Sequence, residues 1–127
     1  MRLSCRRISS RLSRDVSAVV AVHRILGPGY NEATYVRACR IEMRCAGLLF
    51  EEEKSVSVRY RGEVVCSQRI DLFVDNRVVL EIKSVDAIHP VHIAQTVSYL
   101  RITSARVELI INFNVALLKH GIRRVVL

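Results

Sequence analysis

The chain has 127 residues, half of them apolar and a quarter charged, with seven glycines and prolines together. That supports one packed domain and excludes a multidomain machine, a disordered chain and a low-complexity repeat. The net charge of +8 is uneven: Arg2, Arg6, Arg7, Arg11 and Arg14 fall in residues 1–14 without an acid, leaving a balance of only +3 beyond them.

A basic chain favours a polyanionic partner, but most of this excess sits in a segment read as a flexible basic tail over residues 1–11, ahead of a single domain over 12–127. The longest wholly apolar run, Ala18–Val22, is far short of the ~20 residues that cross a bilayer, so no membrane partner is expected. Cys5, Cys39, Cys45 and Cys66 match neither a CxxC knuckle nor a zinc-ribbon spacing. They read as reduced thiols in a cytoplasmic protein.

Val16, Val19, Val20 and Leu26 recur at helical spacing and predict a first helix over 13–26, with Ser13 as its cap and Gly27-Pro28-Gly29 as its end. A second helix follows over 31–46, with Tyr35, Val36, Cys39, Met43 and Ala46 on one face and Gly47 at the left-handed terminus. The period then changes to two. Val56, Val58 and Tyr60 alternate with Ser57 and Arg59, Arg61-Gly62-Glu63 turns, and Val64–Val74 returns antiparallel. Asp75-Asn76-Arg77 leads into a third strand over 78–85. Pro90 opens a third helix reaching about Ile102, with Val91, Ala94, Val97 and Leu100 as its core stripe and His89 at its start. Arg106–Phe113 is an apolar strand suited to the sheet interior, joined to the third by a parallel crossover. Ile122–Leu127 adds an edge strand.

Charges interrupt two of these strands: Asp71 in one, Glu81 and Lys83 in the next. Glu81 and Lys83 share a face by alternation. If the hairpin loop is Asp75–Arg77, Val74 opposes Val78 and Asp71 opposes Glu81, which brings two acids together and calls for a proton, a cation or a bound ion. A two-residue Asp75-Asn76 loop would instead send them to opposite faces. Two carboxylates with a backbone carbonyl of the same strand, that of Ile82, make a partial oxygen cage for Mg²⁺ or Mn²⁺. The plainer alternative is an acid-base cluster on the wet face of a half-solvated sheet. On the third helix Gln95 and Tyr99 share a face, with His92 on the same side. On the second, Glu32 and Tyr35 do so, and Glu32 also suits a helix first turn. Glu51-Glu52-Glu53 reads as a solvated edge, and Arg59, Arg61 and Arg69 as strand charges able to neutralise phosphates.

Gly29-Tyr30-Asn31-Glu32-Ala33-Thr34-Tyr35 fits a GxxExxY signature, and Asp71, Glu81-Ile82-Lys83 and Gln95-x3-Tyr99 follow in order. With Ile111-Asn112-Phe113-Asn114 and Leu118-Lys119-His120-Gly121-Ile122, the chain resembles the GxxExxY protein family from about Leu12 to Val126. That family looks like a branch of the PD-(D/E)xK nuclease superfamily. The proline that names the superfamily is replaced by Ile70.

The resemblance implies an α/β fold with a restriction-endonuclease-like α-β-β-β-α-β core, a mixed central sheet and an additional N-terminal helix. It implies that Asp71, Glu81 and the helical Glu32 hold the ion, and that Lys83 positions the attacking water or stabilises developing charge. Gln95 and Tyr99, with Tyr35 and His92 beside them, would orient the site or touch the substrate backbone. The expected function is a Mg²⁺- or Mn²⁺-dependent phosphodiester hydrolase acting on nucleic acid, DNA foremost. The alternative is a non-catalytic nuclease-like module that binds nucleic acid or a protein partner.

Overall fold

The structure, a computed structural model, describes residues 14–127; the basic tail, Cys5 and the Ser13 cap lie outside that range. In chain order the elements are α1 (Arg14–Leu26), α2 (Glu32–Cys45), β1 (Phe50–Tyr60), β2 (Glu63–Val74), β3 (Val78–Lys83), α3 (Pro90–Thr103), β4 (Val107–Asn112) and β5 (Ile122–Val126). A 3-10 turn, Leu118–His120, precedes β5.

The helix ends follow from local chemistry. Asn31 caps α2 by accepting the Thr34 N–H at 2.9 Å, and Gly47 closes it with φ 69°, a conformation that glycine adopts without steric cost. Pro90 occupies the first turn of α3, and the His89 ring accepts the Val91 N–H at 3.1 Å.

The five strands form one sheet in the order β1-β2-β3-β4-β5, parallel only between β3 and β4. This is the mixed α/β architecture of the expected core, with α1 as the additional helix. α1 and α2 cover one face, where Val19, Val22, Tyr35, Cys39 and Met43 pack on Leu72, Leu80, Ile82, Leu109 and Ile111. α3 covers the other with a smaller cluster of Val56, Ile70, Phe73, Val79, Tyr99, Leu100 and Ala105.

The β2–β3 hairpin decides where the acids go. Asp75 and Asn76 both sit at φ 52°, a left-handed conformation that Asp and Asn tolerate better than most residues. The Arg77 N–H donates to the Val74 carbonyl at 3.0 Å across them. Arg77 is then one residue more than a two-residue turn requires, so the loop holds three residues and Val74 faces Val78. The ladder continues only to Leu72 opposite Leu80. Beyond it β1 and β2 run on together as a two-stranded ribbon.

Two expectations are corrected here. The Val91, Ala94, Val97, Leu100 stripe is not what α3 buries: Val91 and Ala94 are exposed and Val97 is half-buried, while Thr96, Tyr99 and Leu100 face inward. The sheet face beneath α3 carries Glu81 and Glu108, so the helix turns hydroxyl-bearing side chains toward it. Nor are all four cysteines reduced thiols, since Cys45 is disulfide-bonded; Cys39 and Cys66 are free. Among the described residues no helix is long and apolar enough to cross a membrane.

Candidate active site

Where the β2–β3 ladder stops, side chains replace backbone. Asp71 Oδ2 accepts the Ile82 N–H at 2.8 Å, taking the place of a strand carbonyl. In an antiparallel pair the N–H and C=O of one residue point to the same neighbour, so the Ile82 carbonyl opens into this same gap beside Asp71. The alternation of β2 also breaks here. Ile70 and Phe73 both join the α3-side cluster while Leu72 and Val74 join the other. Across from Asp71 on β1, Glu53 has φ 48° and the pairing skips a step. Asp71 therefore sits at a kink between two strands rather than on a flat face.

Glu81 and Lys83 share the α3-side face with Val79, as alternation requires. Glu81 is 9% exposed, and its Oε1 has no hydrogen-bond partner among the described residues. Burial first, then the carboxylates of Asp71 and Glu108, push Glu81 up to about 8; Lys83 and the Asp71 N–H pull it back only in part. Burial also raises Asp71, against the opposing pull of the Ile82 N–H and Lys83. Lys83 is half-buried and makes no ion pair within 4 Å among the described residues. The acids and the amine share one electrostatic neighbourhood, so the wet-face alternative does not describe Glu81.

Glu32 reaches the same end of β3 from α2. Its Oε2 accepts the Ser84 N–H at 3.3 Å, and the Ser84 hydroxyl donates to the Tyr30 carbonyl at 2.6 Å. Its charge contributes to raising Asp71. The loop that follows is anchored by Asn112, 2% exposed, whose amide accepts the Val85 N–H at 3.1 Å and donates to the Val85 carbonyl at 2.9 Å.

Tyr35 is fully buried, so contact with substrate, one of its two expected roles, is corrected. Its hydroxyl donates to the Gly27 carbonyl at 2.6 Å and accepts the Tyr30 N–H at 3.2 Å, while its ring stacks on Phe113 at 4.3 Å. It fixes the turn that presents Glu32. Tyr35→Phe removes both bonds and leaves the half-buried Gly27 carbonyl without its donor, so we expect a loss of about 1–3 kcal/mol in urea unfolding, with weakened presentation of Glu32.

On α3 the His92 Nδ1 accepts the His89 N–H at 3.1 Å, which turns the rest of the ring away from the cap. His92 is held below the usual histidine range by lost hydration first, then by Lys83 and His89, with Glu32 opposing. That places it beside the same charges. Gln95 is exposed. Tyr99 is 6% exposed, and burial, then Glu81 and Glu108, push its hydroxyl up to about 12.

Glu108 is the residue that sequence reasoning passed over. It pairs with Val79 across the parallel β3–β4 step, shares the face of Glu81, and is fully buried, with neither carboxylate oxygen hydrogen-bonded among the described residues. Burial pushes it up to about 8, with Asp71 adding to the rise; the Thr96 hydroxyl beside it and Lys83 offset part of this. The signal was an acid inside the run Val107-Glu108-Leu109-Ile110-Ile111, the same signal that singled out Asp71 and Glu81.

Among the described residues no three His, Cys, Asp or Glu side chains converge closely enough to hold an ion as they stand. The donor chemistry nevertheless fits a hard cation. Asp71, Glu81, Glu32 and the Ile82 carbonyl offer oxygen alone, and the buried Glu81 Oε1 lacks a partner, as an acid does when its counter-charge is not a protein group.

Residues 10–125 match the model of the PD-(D/E)XK nuclease superfamily, and the chain belongs to that superfamily. Its members generally use divalent metal ions, and a nuclease fold implies a nucleic-acid substrate. Searches of curated proteins and of solved structures each gave no match.

Proposed function

We propose that the protein is a Mg²⁺- or Mn²⁺-dependent phosphodiester hydrolase acting on DNA, of the GxxExxY kind within its superfamily. The observation that carries this reading is the buried, uncompensated Glu81 beside Asp71 at the point where the ladder opens. Asp71, Glu81, Glu32 and the Ile82 carbonyl would hold the ion. Once bound, it supplies polarisation of the phosphate and a water acidic enough to attack near neutral pH.

The chain's own residues do the rest. Lys83, with no carboxylate partner among the described residues, would sit against the phosphate and stabilise charge as it develops. His92 and the exposed Gln95 orient the substrate backbone along α3. Tyr99, held protonated, offers a hydroxyl donor at the back of the site, and Asn112 and Tyr35 hold the loop and turn that frame it.

The spread of the acids favours the second reading, a nuclease-like module that binds without cutting. Calorimetric titration with Mg²⁺ and Mn²⁺, followed by cleavage assays on single- and double-stranded DNA and RNA, separates the two. Metal-dependent cutting that is lost in Asp71→Asn supports hydrolysis. Binding without cutting under every condition assigns the module.

A further inference from the structure

Beyond Asp71 the β1–β2 pair leaves the sheet. β2 meets β3 only over Leu72–Val74, whereas its pairing with β1 runs on to Tyr60 opposite Glu63. The tip, Arg61-Gly62, turns at φ 50° and 82°. Isolated two-stranded ribbons are marginal in water, and only one face of this one is supported: Val56 and Ile70 pack under α3.

The other face is chemically distinct. Ser55 pairs with Arg69 and Ser57 with Ser67; the register shifts between Val58 and Arg59, with the extra residue, Val65, on β2, so β1 itself keeps its alternation as far as Arg59. Partners share a face and alternation puts 55, 57 and 59 together. All five side chains are exposed. The three serine hydroxyls have no protein partner among the described residues. Arg59 donates once, to the Gly62 carbonyl at 3.1 Å. Arg69 meets Glu53 at 3.4 Å, with both side chains about 70% exposed, and such a pair holds its members weakly. The remaining acids at the ribbon's base are engaged, Glu51 with Lys54 and Glu52 with Arg40 and Arg44.

Resting on the nuclease reading, we infer that this Ser55/Ser57/Arg59/Ser67/Arg69 face of the ribbon is a docking track for the sugar-phosphate backbone of duplex nucleic acid, leading away from the cleavage site. Hydroxyl and guanidinium donors are the groups that bind phosphate oxygens without reading sequence, and serines let a backbone approach closely. A single strand would call for aromatic platforms. The ribbon's one aromatic, Tyr60, pairs with Glu63 next to Arg59 and so lies on the opposite face. Glu63 lies eight positions before Asp71. At ~3.4 Å per residue they span ~27 Å, or ~8 base pairs of duplex.

The test is fluorescence anisotropy with an end-labelled 24-base-pair duplex and its single strand, using the full chain in the Glu81→Gln background so that no cutting intervenes with Mg²⁺ present. Arg59→Ser/Arg69→Ser is compared with that parent. Both arginines are exposed, so an unchanged melting temperature verifies the fold.

We expect duplex affinity to fall roughly 50-fold at 0.1 M salt, and the slope of log affinity against log salt to shrink by about 1.8, as the loss of two phosphate contacts requires. Equal duplex affinity with an unchanged slope overturns the inference, as does preference for the single strand. The wild-type cleavage assay is independent: cutting that survives beside an indifferent ribbon leaves the nuclease reading intact. Ribbon-dependent binding without cutting leaves the track intact on a binding module.

Discussion

Replacing Glu81 by glutamine is expected to abolish metal-dependent cleavage while raising the stability of the metal-free protein above pH 8. The two effects have one cause. Glu81 is 9% exposed, its Oε1 is unpartnered, and it is pushed up to about 8 by burial and by two neighbouring acids. Without a cation, its ionised form is a charge kept from water with only Lys83 and an N–H to offset it. Glutamine has the same shape and no charge, so the fold should gain about 2–4 kcal/mol where the wild-type residue is ionised. The same change removes an anionic ligand from the proposed site, and cleavage should fall at least about 10³-fold. Melting curves with and without Mg²⁺ at pH 8.5, paired with a cleavage assay, read both. Retained cleavage would remove Glu81 from the chemistry. A lower melting temperature would make it a structural acid.

The acids at the site could be found in the sequence because a charge inside an apolar strand is informative wherever it falls. Alternation placed Glu81 and Lys83 on one face, and two residues that tolerate left-handed backbone gave the three-residue loop that sets Val74 opposite Val78; the expected pairing of Asp71 with Glu81 does not follow from it, because the ladder ends at Leu72 and Leu80 and Asp71 meets β3 through the Ile82 N–H. Glu108 obeyed the same rule and was overlooked, because the surrounding run reads as a plain buried strand. What lay beyond the sequence was relational. The kink at Asp71 depends on Glu53, which comes from another strand and alternates normally on paper. The buried face of α3 went unread because aliphatic spacing favoured Val91 and Ala94, whereas the polar sheet face beneath selected Thr96 and Tyr99. Tyr35 was visible as a motif residue, but its division between orienting and touching depends on a stack with Phe113, 78 positions away.

Stability of the metal-free protein should fall as pH rises from about 5 to 8.5. The sign follows from proton counting: Glu81 and Glu108 are raised from 4.5 to about 8 in the fold. Between those values the folded chain binds more protons than the unfolded one. Stability then decreases with pH across the window and levels off above it. Both groups are buried, and Asp71 is displaced in the same direction, so the total drop should be of order 5 kcal/mol. Urea midpoints at pH 5 and 8.5 in ~0.2 M salt, where general repulsion from the basic surface is screened, measure it. Glu108→Gln should flatten the dependence by removing one of the two titrations. Because Glu108 is not among the proposed ligands, this variant should still be stabilised by Mg²⁺ at pH 8.5, whereas Asp71→Asn should not. A midpoint that climbs with pH would mean that these carboxyls are solvated in the folded protein, and the case for an ion-binding pocket beneath α3 would fall with it.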